Sequence, residues 1–249
     1  METVIDIPAQ SHPWSTVFTV AGHFRPKEWL LTGGLMVQAH AMIHDLPVRP
    51  TSDADFLLDI LTFDRIATQM RSYLTTLGYR LQEDSMTGYA SRFETGSGNQ
   101  VDLLVTDYLY GKRKRENARL DGKRLCGMPA GGQAIRRSQL IGIRYEGETL
   151  PITIPDLLGA IMLKSAAWQV DRTVRRDRHL LDAAMLLSLI QDPLSQVERL
   201  HSANDRKRIL TLYQALTVDY RSTYWRSLGT RQARQGAAVL SYLAEWAER

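Results

Sequence analysis

At 249 residues, with 44% hydrophobic and 23% charged side chains, the chain can bury one large core or two modest ones and has an ordinary globular composition. No apolar run approaches the roughly 20 residues that a membrane-crossing helix needs, so no membrane partner is expected. Cys126 is the only cysteine, which excludes an internal disulfide and leaves a cysteine-based zinc site unsupported; a cytoplasmic location is expected, and the net charge of +4 permits a polyanionic partner.

Residues 1–14 hold two prolines and no clear period, and they lack the basic and then apolar pattern of a secretory signal; an irregular arm is predicted. Residues 15–20 fit a short strand or the start of a helix. Trp29, Leu30 and Leu31 then predict a buried strand, and Leu35, Met36, Ala39, Met42 and Ile43 follow helical spacing. Gly33 and Gly34 therefore fall at a strand-to-helix turn. Backbone amides at such a turn approach an anion closely where no Cβ intervenes. After a loop that includes residues 44–47 comes a strand carrying Asp53 and Asp55, ending near Ile60. Side chains two apart leave a strand on one face, so the two carboxylates are spaced to share a divalent cation. An exposed acidic pair usually faces solvent. Here the neighbours Phe56, Leu57, Leu58 and Ile60 are apolar enough for an interior strand, which makes unpaired surface charge the poorer explanation.

Ile66, Met70, Leu74 and Leu77 mark one face of a helix that stops near Gly78. Strands are predicted at 79–82 and 89–94, followed by a turn at 95–99 and a strand at 100–105, which makes a small mixed sheet with a hairpin. Asp102 leaves the face opposite Val101 and Leu103. It meets Asp53 and Asp55 if the strands are neighbours, and otherwise caps a loop. Between 111 and 139 the basic residues Lys112, Arg113, Lys114, Arg115, Arg119, Lys123, Arg124, Arg136 and Arg137 face only Glu116 and Asp121. Such a run suits a solvated loop or a polyanion surface. The glycines of 127–132 predict a linker or mobile flap.

A strand pair at 141–145 and 150–154 follows, and Pro155 and Asp156 suit a first helical turn. From there the apolar residues Leu157, Leu158, Ile161, Met162 and Ala166 start a helical region. The predicted boundary lies near residue 150, dividing the chain into 1–150 and 151–249. Lys164 sits inside this apolar helix, where a lone lysine is expected to snorkel to water. His179 and Asp182, three apart, suit a structural helix pair, as do Arg178 and Asp182, four apart. Further helices are predicted at 194–201, at 205–220 with Asn204 as N-cap, and at 230–248. Trp225, Trp246, Tyr213, Tyr220, Tyr224 and Tyr242 are expected in packing, while Arg221, Arg226, Arg231 and Arg234 extend the basic surface.

The glycine pair, the helix and the strand bearing Asp53-x-Asp55 together resemble the nucleotidyltransferase superfamily built on the DNA polymerase β-like core. Gly33-Gly34 followed by Arg49-x-Thr51-x-Asp53-x-Asp55 looks like the AbiEii-type toxin nucleotidyltransferases, which include the MenT toxins. The gap between Gly34 and Asp53 is longer than the usual family spacing. The stretch from Ile154 to Leu189 resembles the family's second signature, a helix with a lysine, an arginine-rich turn and an aspartate on the next helix. The likeness spans 29–189, with two specific motif clusters.

That resemblance implies an α+β fold, with a mixed-sheet core followed by a helical domain completing the active-site cleft. Asp53, Asp55 and Asp102 would hold Mg²⁺ or Mn²⁺, with Asp102 completing the site or acting as base. Lys164 would bind the phosphates of a nucleoside triphosphate, and Asp182 or Asp177 would orient Lys164 or take a proton. Gly33, Gly34 and Ser52 would contribute nucleotide contacts. The implied acceptor is the 3′ end of tRNA, held by Lys112, Arg113, Lys114, Arg115, Arg136 and Arg137, with a cognate antitoxin as a further partner. Two alternatives stand beside it. One is transfer to an antibiotic or other small molecule; the other is a catalytically silent module that binds RNA or protein.

Overall fold

The computed structural model describes residues 3–47, 49–82, 88–107, 109, 112–217 and 219–249, without the side chains of 112–114. The fold is α+β, and the chain divides into two compact units, Met1–Pro155 and Asp156–Arg249. This boundary lies a few residues beyond the predicted one.

The first unit opens with β1 (Val4–Asp6), α1 (Trp14–Ala21), β2 (Trp29–Leu31), α2 (Gly33–Ile43), β3 (Asp53–Leu58) and α3 (Ile66–Thr76). It continues with β4 (Arg80–Leu81), β5 (Arg92–Glu94), β6 (Gln100–Thr106), α4 (Lys112–Asn117), β7 (Arg119–Leu120), β8 (Lys123–Arg124) and β9 (Cys126–Met128). It closes with α5 (Gly131–Arg136), β10 (Ser138–Tyr145) and β11 (Glu148–Pro155). The main sheet runs β2-β3-β6-β5-β4, with β9 also paired to β6. The β3–β6 pair is parallel, while β2–β3 and β5–β6 are antiparallel. Phe56, Leu57 and Leu58 are buried, as are Val101, Leu103 and Val105, so these two strands form the centre of the core.

Three expectations are corrected in this unit. Residues 4–6 are a strand, because Ile5 is buried between exposed Val4 and Asp6 and pairs in parallel with Ile143 of β10. Arg144 closes that edge with a fork onto Asp6 at 2.6 and 2.8 Å. Three residues are too few for a period to be visible. The glycine-rich stretch 127–132 is ordered structure, contributing the end of β9 and the start of α5. Pro155 ends β11, and Asp156 is the cap of the next helix, accepting from the Gly159 amide at 2.9 Å. Residues 15–20, which fitted either element, are helical.

The second unit consists of α6 (Leu157–Val170), α7 (Arg178–Ser188), α8 (Pro193–Val197), α9 (Ala203–Leu216) and α10 (Thr230–Glu248). The stripe Ala233, Gly236, Ala237, Leu240, Leu243, Ala244 and Ala247 is buried at helical spacing on α10. Gly236 makes room for the fully buried Trp225, since a Cβ there would lie 2.5 Å from the indole Cζ3. The N-cap of α9 is Ser202 and not Asn204, in a reciprocal capping box with Asp205. Among the described residues, no helix is long and apolar enough to cross a membrane.

Candidate functional site

The turn from β2 into α2 presses directly on β3. The Thr32 amide and hydroxyl both donate to the Asp55 carbonyl, at 2.9 and 3.1 Å. Gly33 has φ +63°, and a Cβ there would fall 1.7 Å from Asp55 Oδ2. A Cβ on Gly34 would fall 2.7 Å from Thr51 Oγ1. Only glycine lets the first turn of α2 lie this close, so the positive end of the helix rests on a carboxylate. Thr51 in turn donates to Asp53 Oδ1 at 2.7 Å, orienting the second carboxylate. Asp53 and Asp55 are both half-buried on one face of β3, while Ser52 is exposed.

Gly33→Ala is expected to cost about 1–2 kcal/mol from its left-handed backbone alone. The collision with Asp55 adds to that loss. Urea unfolding measures it, and a midpoint equal to that of the unaltered chain contradicts the close contact.

Parallel pairing places Asp102 directly beside Asp55, and antiparallel pairing places Arg92 on its other side. Arg92 grips both Asp102 oxygens, Nε to Oδ1 at 3.0 Å and Nη2 to Oδ2 at 2.9 Å. This fork holds the guanidinium firmly charged, reinforced by the fields of Asp53 and Asp55. Both oxygens of Asp102 are taken up by this fork, so neither is open to another donor until it opens. His12 Nε2 lies 3.0 Å from the Ser52 carbonyl and 3.2 Å from the Gln100 amide, spanning the entries to β3 and β6. Burial pushes the His12 imidazole below its usual range, against those two hydrogen bonds. Arg92 and His12 were missed in the sequence. Both act through strand register and chain crossing, which leave no local pattern.

Two half-buried carboxylates on one strand face are hard oxygen donors of the kind Mg²⁺ takes alongside substrate phosphates. The glycine turn beside them packs directly against the Asp55 and Thr51 side chains. Among the described residues, no group of three or more His, Cys, Asp or Glu side chains is set to hold a metal ion. Asp53 and Asp55, on one face of β3, could hold a divalent cation, with Asp102 paired beside Asp55.

In the second unit, Lys164 Nζ and Asp182 Oδ2 are 2.8 Å apart, with side chains only 6% and 4% exposed. The snorkelling expectation for Lys164 fails because a buried counter-ion on α7 satisfies it in place. Of the two candidate aspartates, Asp182 reaches the lysine. Asp177 is exposed and accepts from the Tyr224 hydroxyl at 3.2 Å. In place of the predicted pairing with Asp182, His179 lies 3.0 Å and Arg178 3.8 Å from Asp171 Oδ2, and the His179 imidazole is pushed below its usual range by burial and then by the Lys164 charge. Arg176 lies over the Trp168 ring at 4.2 Å. The Trp168 Nε1, Arg176 Nε and His179 Nδ1 atoms are buried with no hydrogen-bond partner. Trp168 Nε1 and Arg176 Nε are donors, whose burial without a partner is costly and which an anion could satisfy, whereas His179, with Nε2 toward the Asp171 carboxylate, presents Nδ1 as an acceptor.

In the basic segment, Arg115 and Arg136 are exposed and Arg137 is half-buried. The side chains of Lys112, Arg113 and Lys114 lie outside the described residues.

No family model matches the chain, and no curated protein does. Among solved structures it is similar to an antigenic nucleotidyltransferase-like protein from Paracoccidioides brasiliensis, with a TM-score of 0.48 and 14% identity over 81% of this chain and 87% of that one.

Proposed function

We propose that the chain is a divalent-metal-dependent nucleotidyltransferase, moving a nucleoside monophosphate from a nucleoside triphosphate to an acceptor hydroxyl. The observation that carries this reading is the pressing of Gly33 and Gly34 onto Asp55 and Thr51, which puts the first turn of α2 against two carboxylates on one strand face. A helix start beside paired carboxylates suits one kind of ligand above others, a polyphosphate chelating a cation.

In the reaction the acceptor oxygen bonds to the α-phosphorus, the bond from that phosphorus to the bridging oxygen of pyrophosphate breaks, and the hydroxyl proton leaves to a base. Mg²⁺ or Mn²⁺ held by Asp53 and Asp55 would neutralise charge on the triphosphate. Thr51 keeps Asp53 in its ligating orientation through the 2.7 Å hydrogen bond. The amides that open α2 favour the anionic substrate. Asp102 is the proposed base, and it takes up that role when Arg92 releases it for a phosphate, a partner of equal charge complementarity. On the second unit, Lys164, paired with Asp182, and the unsatisfied donors of Arg176 and Trp168 are proposed phosphate contacts.

The finer reading is that the acceptor is the 3′ end of tRNA and that the protein is the toxin of a toxin-antitoxin pair. The basic residues of 111–139, including Arg115, Arg136 and Arg137, support a polyanionic acceptor. The test incubates the chain with Mg²⁺, each α-labelled nucleoside triphosphate in turn and total bacterial tRNA. Label is expected in tRNA, with transfer falling steeply as salt rises. Label appearing only in a small-molecule acceptor, with weak salt dependence, replaces the RNA reading with the antibiotic-type one. RNA binding with no transfer to any acceptor leaves a silent binding module.

A further inference from the structure

The carboxylates lie near the start of β6. A separate cleft of about 660 Å³ opens at its other end, around Val105, Thr106 and Asp107. From Asp102 to Thr106 the strand advances about 13 Å. Three arginines line this cleft, Arg115 from α4, Arg119 from β7 and Arg124 from β8. Arg119 and Arg124 are direct cross-strand partners. Like charges set opposite one another weaken a sheet, so the pairing opposes stability unless an anion sits between them. Tyr89 bridges to Arg124 in the backbone and also lines the cleft, and the residue is 41% exposed. The lining residues Tyr89, Asp107 and Glu116 are each engaged with another group.

We infer that this cleft binds a nucleotide unit, with the base stacked on Tyr89 and the phosphate held by Arg115, Arg119 and Arg124. The volume falls within the usual range for a small-molecule site. Guanidinium forks match phosphate oxygens, and an aromatic face beside them is the platform that bases of any sequence use. A polyanion without rings would use the arginines and leave the tyrosine idle. The unit comes either from single-stranded RNA or from a free nucleotide, and both present the same ring and phosphate. The inference concerns binding alone and does not depend on transfer at Asp53 and Asp55.

The test measures binding of a fluorescent single-stranded RNA hexamer to the full chain by anisotropy, in EDTA and without nucleoside triphosphate. Unlabelled AMP and a hexaglutamate peptide serve as competitors. Arg119→Gln with Arg124→Gln is expected to weaken binding by at least about tenfold and to flatten the dependence of log affinity on log salt by up to about 0.7, the contribution of one phosphate on a single strand. Tyr89→Ala is expected to weaken it by about tenfold with the salt dependence unchanged. Arg25→Gln with Lys27→Gln, exposed residues elsewhere in the unit, should change affinity less than twofold. Competition by AMP identifies a free-nucleotide site, and binding of the hexamer without such competition identifies an RNA segment. The inference is overturned if the chain binds neither RNA nor AMP, if hexaglutamate competes as well as RNA, or if the control pair costs as much as the cleft pair.

Discussion

Replacing Asp182 with leucine is expected to destabilise the helical unit by about 3–5 kcal/mol, because the Lys164 ammonium would be left buried without its counter-ion. The pair is 2.8 Å apart with side chains 6% and 4% exposed, so neither group has water to fall back on. Lys164→Met alone leaves the Asp182 carboxylate in the same position and is expected to cost a similar amount. The double variant Lys164→Met with Asp182→Leu is expected to recover most of the loss, since apolar groups of similar volume replace a buried ion pair at little cost. Chemical denaturation of the four proteins measures this cycle. Additive losses in the double variant would mean that the two groups do not interact. The recovered fold also separates stability from chemistry, because the double variant would stay folded while lacking the cation proposed to contact phosphate.

The second large effect lies in the first unit. Asp53→Asn and Asp55→Asn are each expected to lower nucleotidyl transfer by at least about 10³-fold, the scale of several kcal/mol of transition-state charge stabilisation. Neither change should unfold the protein. Asparagine keeps the shape of aspartate, and removing one of two like charges on a strand face relieves repulsion. The melting temperature is therefore expected to hold or rise while activity falls. A variant that loses stability and activity together would point instead to a structural role for the pair, in which Thr51 and the first turn of α2 use the carboxylates as hydrogen-bond acceptors.

Much of this was accessible from residue patterns wherever one element carries its own signal. The spacing of Asp53 and Asp55 against Phe56, Leu57 and Leu58 placed both carboxylates on one strand face, and the glycine pair marked the turn into α2. The register-dependent features were not accessible. Asp102 lies beside Asp55 only because β3 and β6 pair in parallel, and Arg92 reaches Asp102 only because β5 pairs with the same residue from the other side. Neither pairing leaves a trace in local sequence. β1 went unseen for a related reason, since a three-residue strand is defined by its partner in β10 and not by its own period. The run of basic residues suited a solvated loop or a polyanion surface because charge hides propensity, yet Leu120 of β7 and Leu125, between β8 and β9, are buried and anchor the short strands beside them. The arginines then face the cleft as a consequence of that folding. Lys164 shows the same limit: its own helix predicted snorkelling, and only the family resemblance offered Asp182, one helix further on, as its partner.

The most direct measurement of the central claim is Mg²⁺-dependent release of pyrophosphate from each nucleoside triphosphate, with total RNA as acceptor, compared between the unaltered chain and Asp53→Asn at matched thermal stability. The account predicts release by the unaltered chain, abolished by EDTA and reduced at least about 10³-fold in the variant. Equal release by both proteins, or none by either with every triphosphate and acceptor, would contradict it.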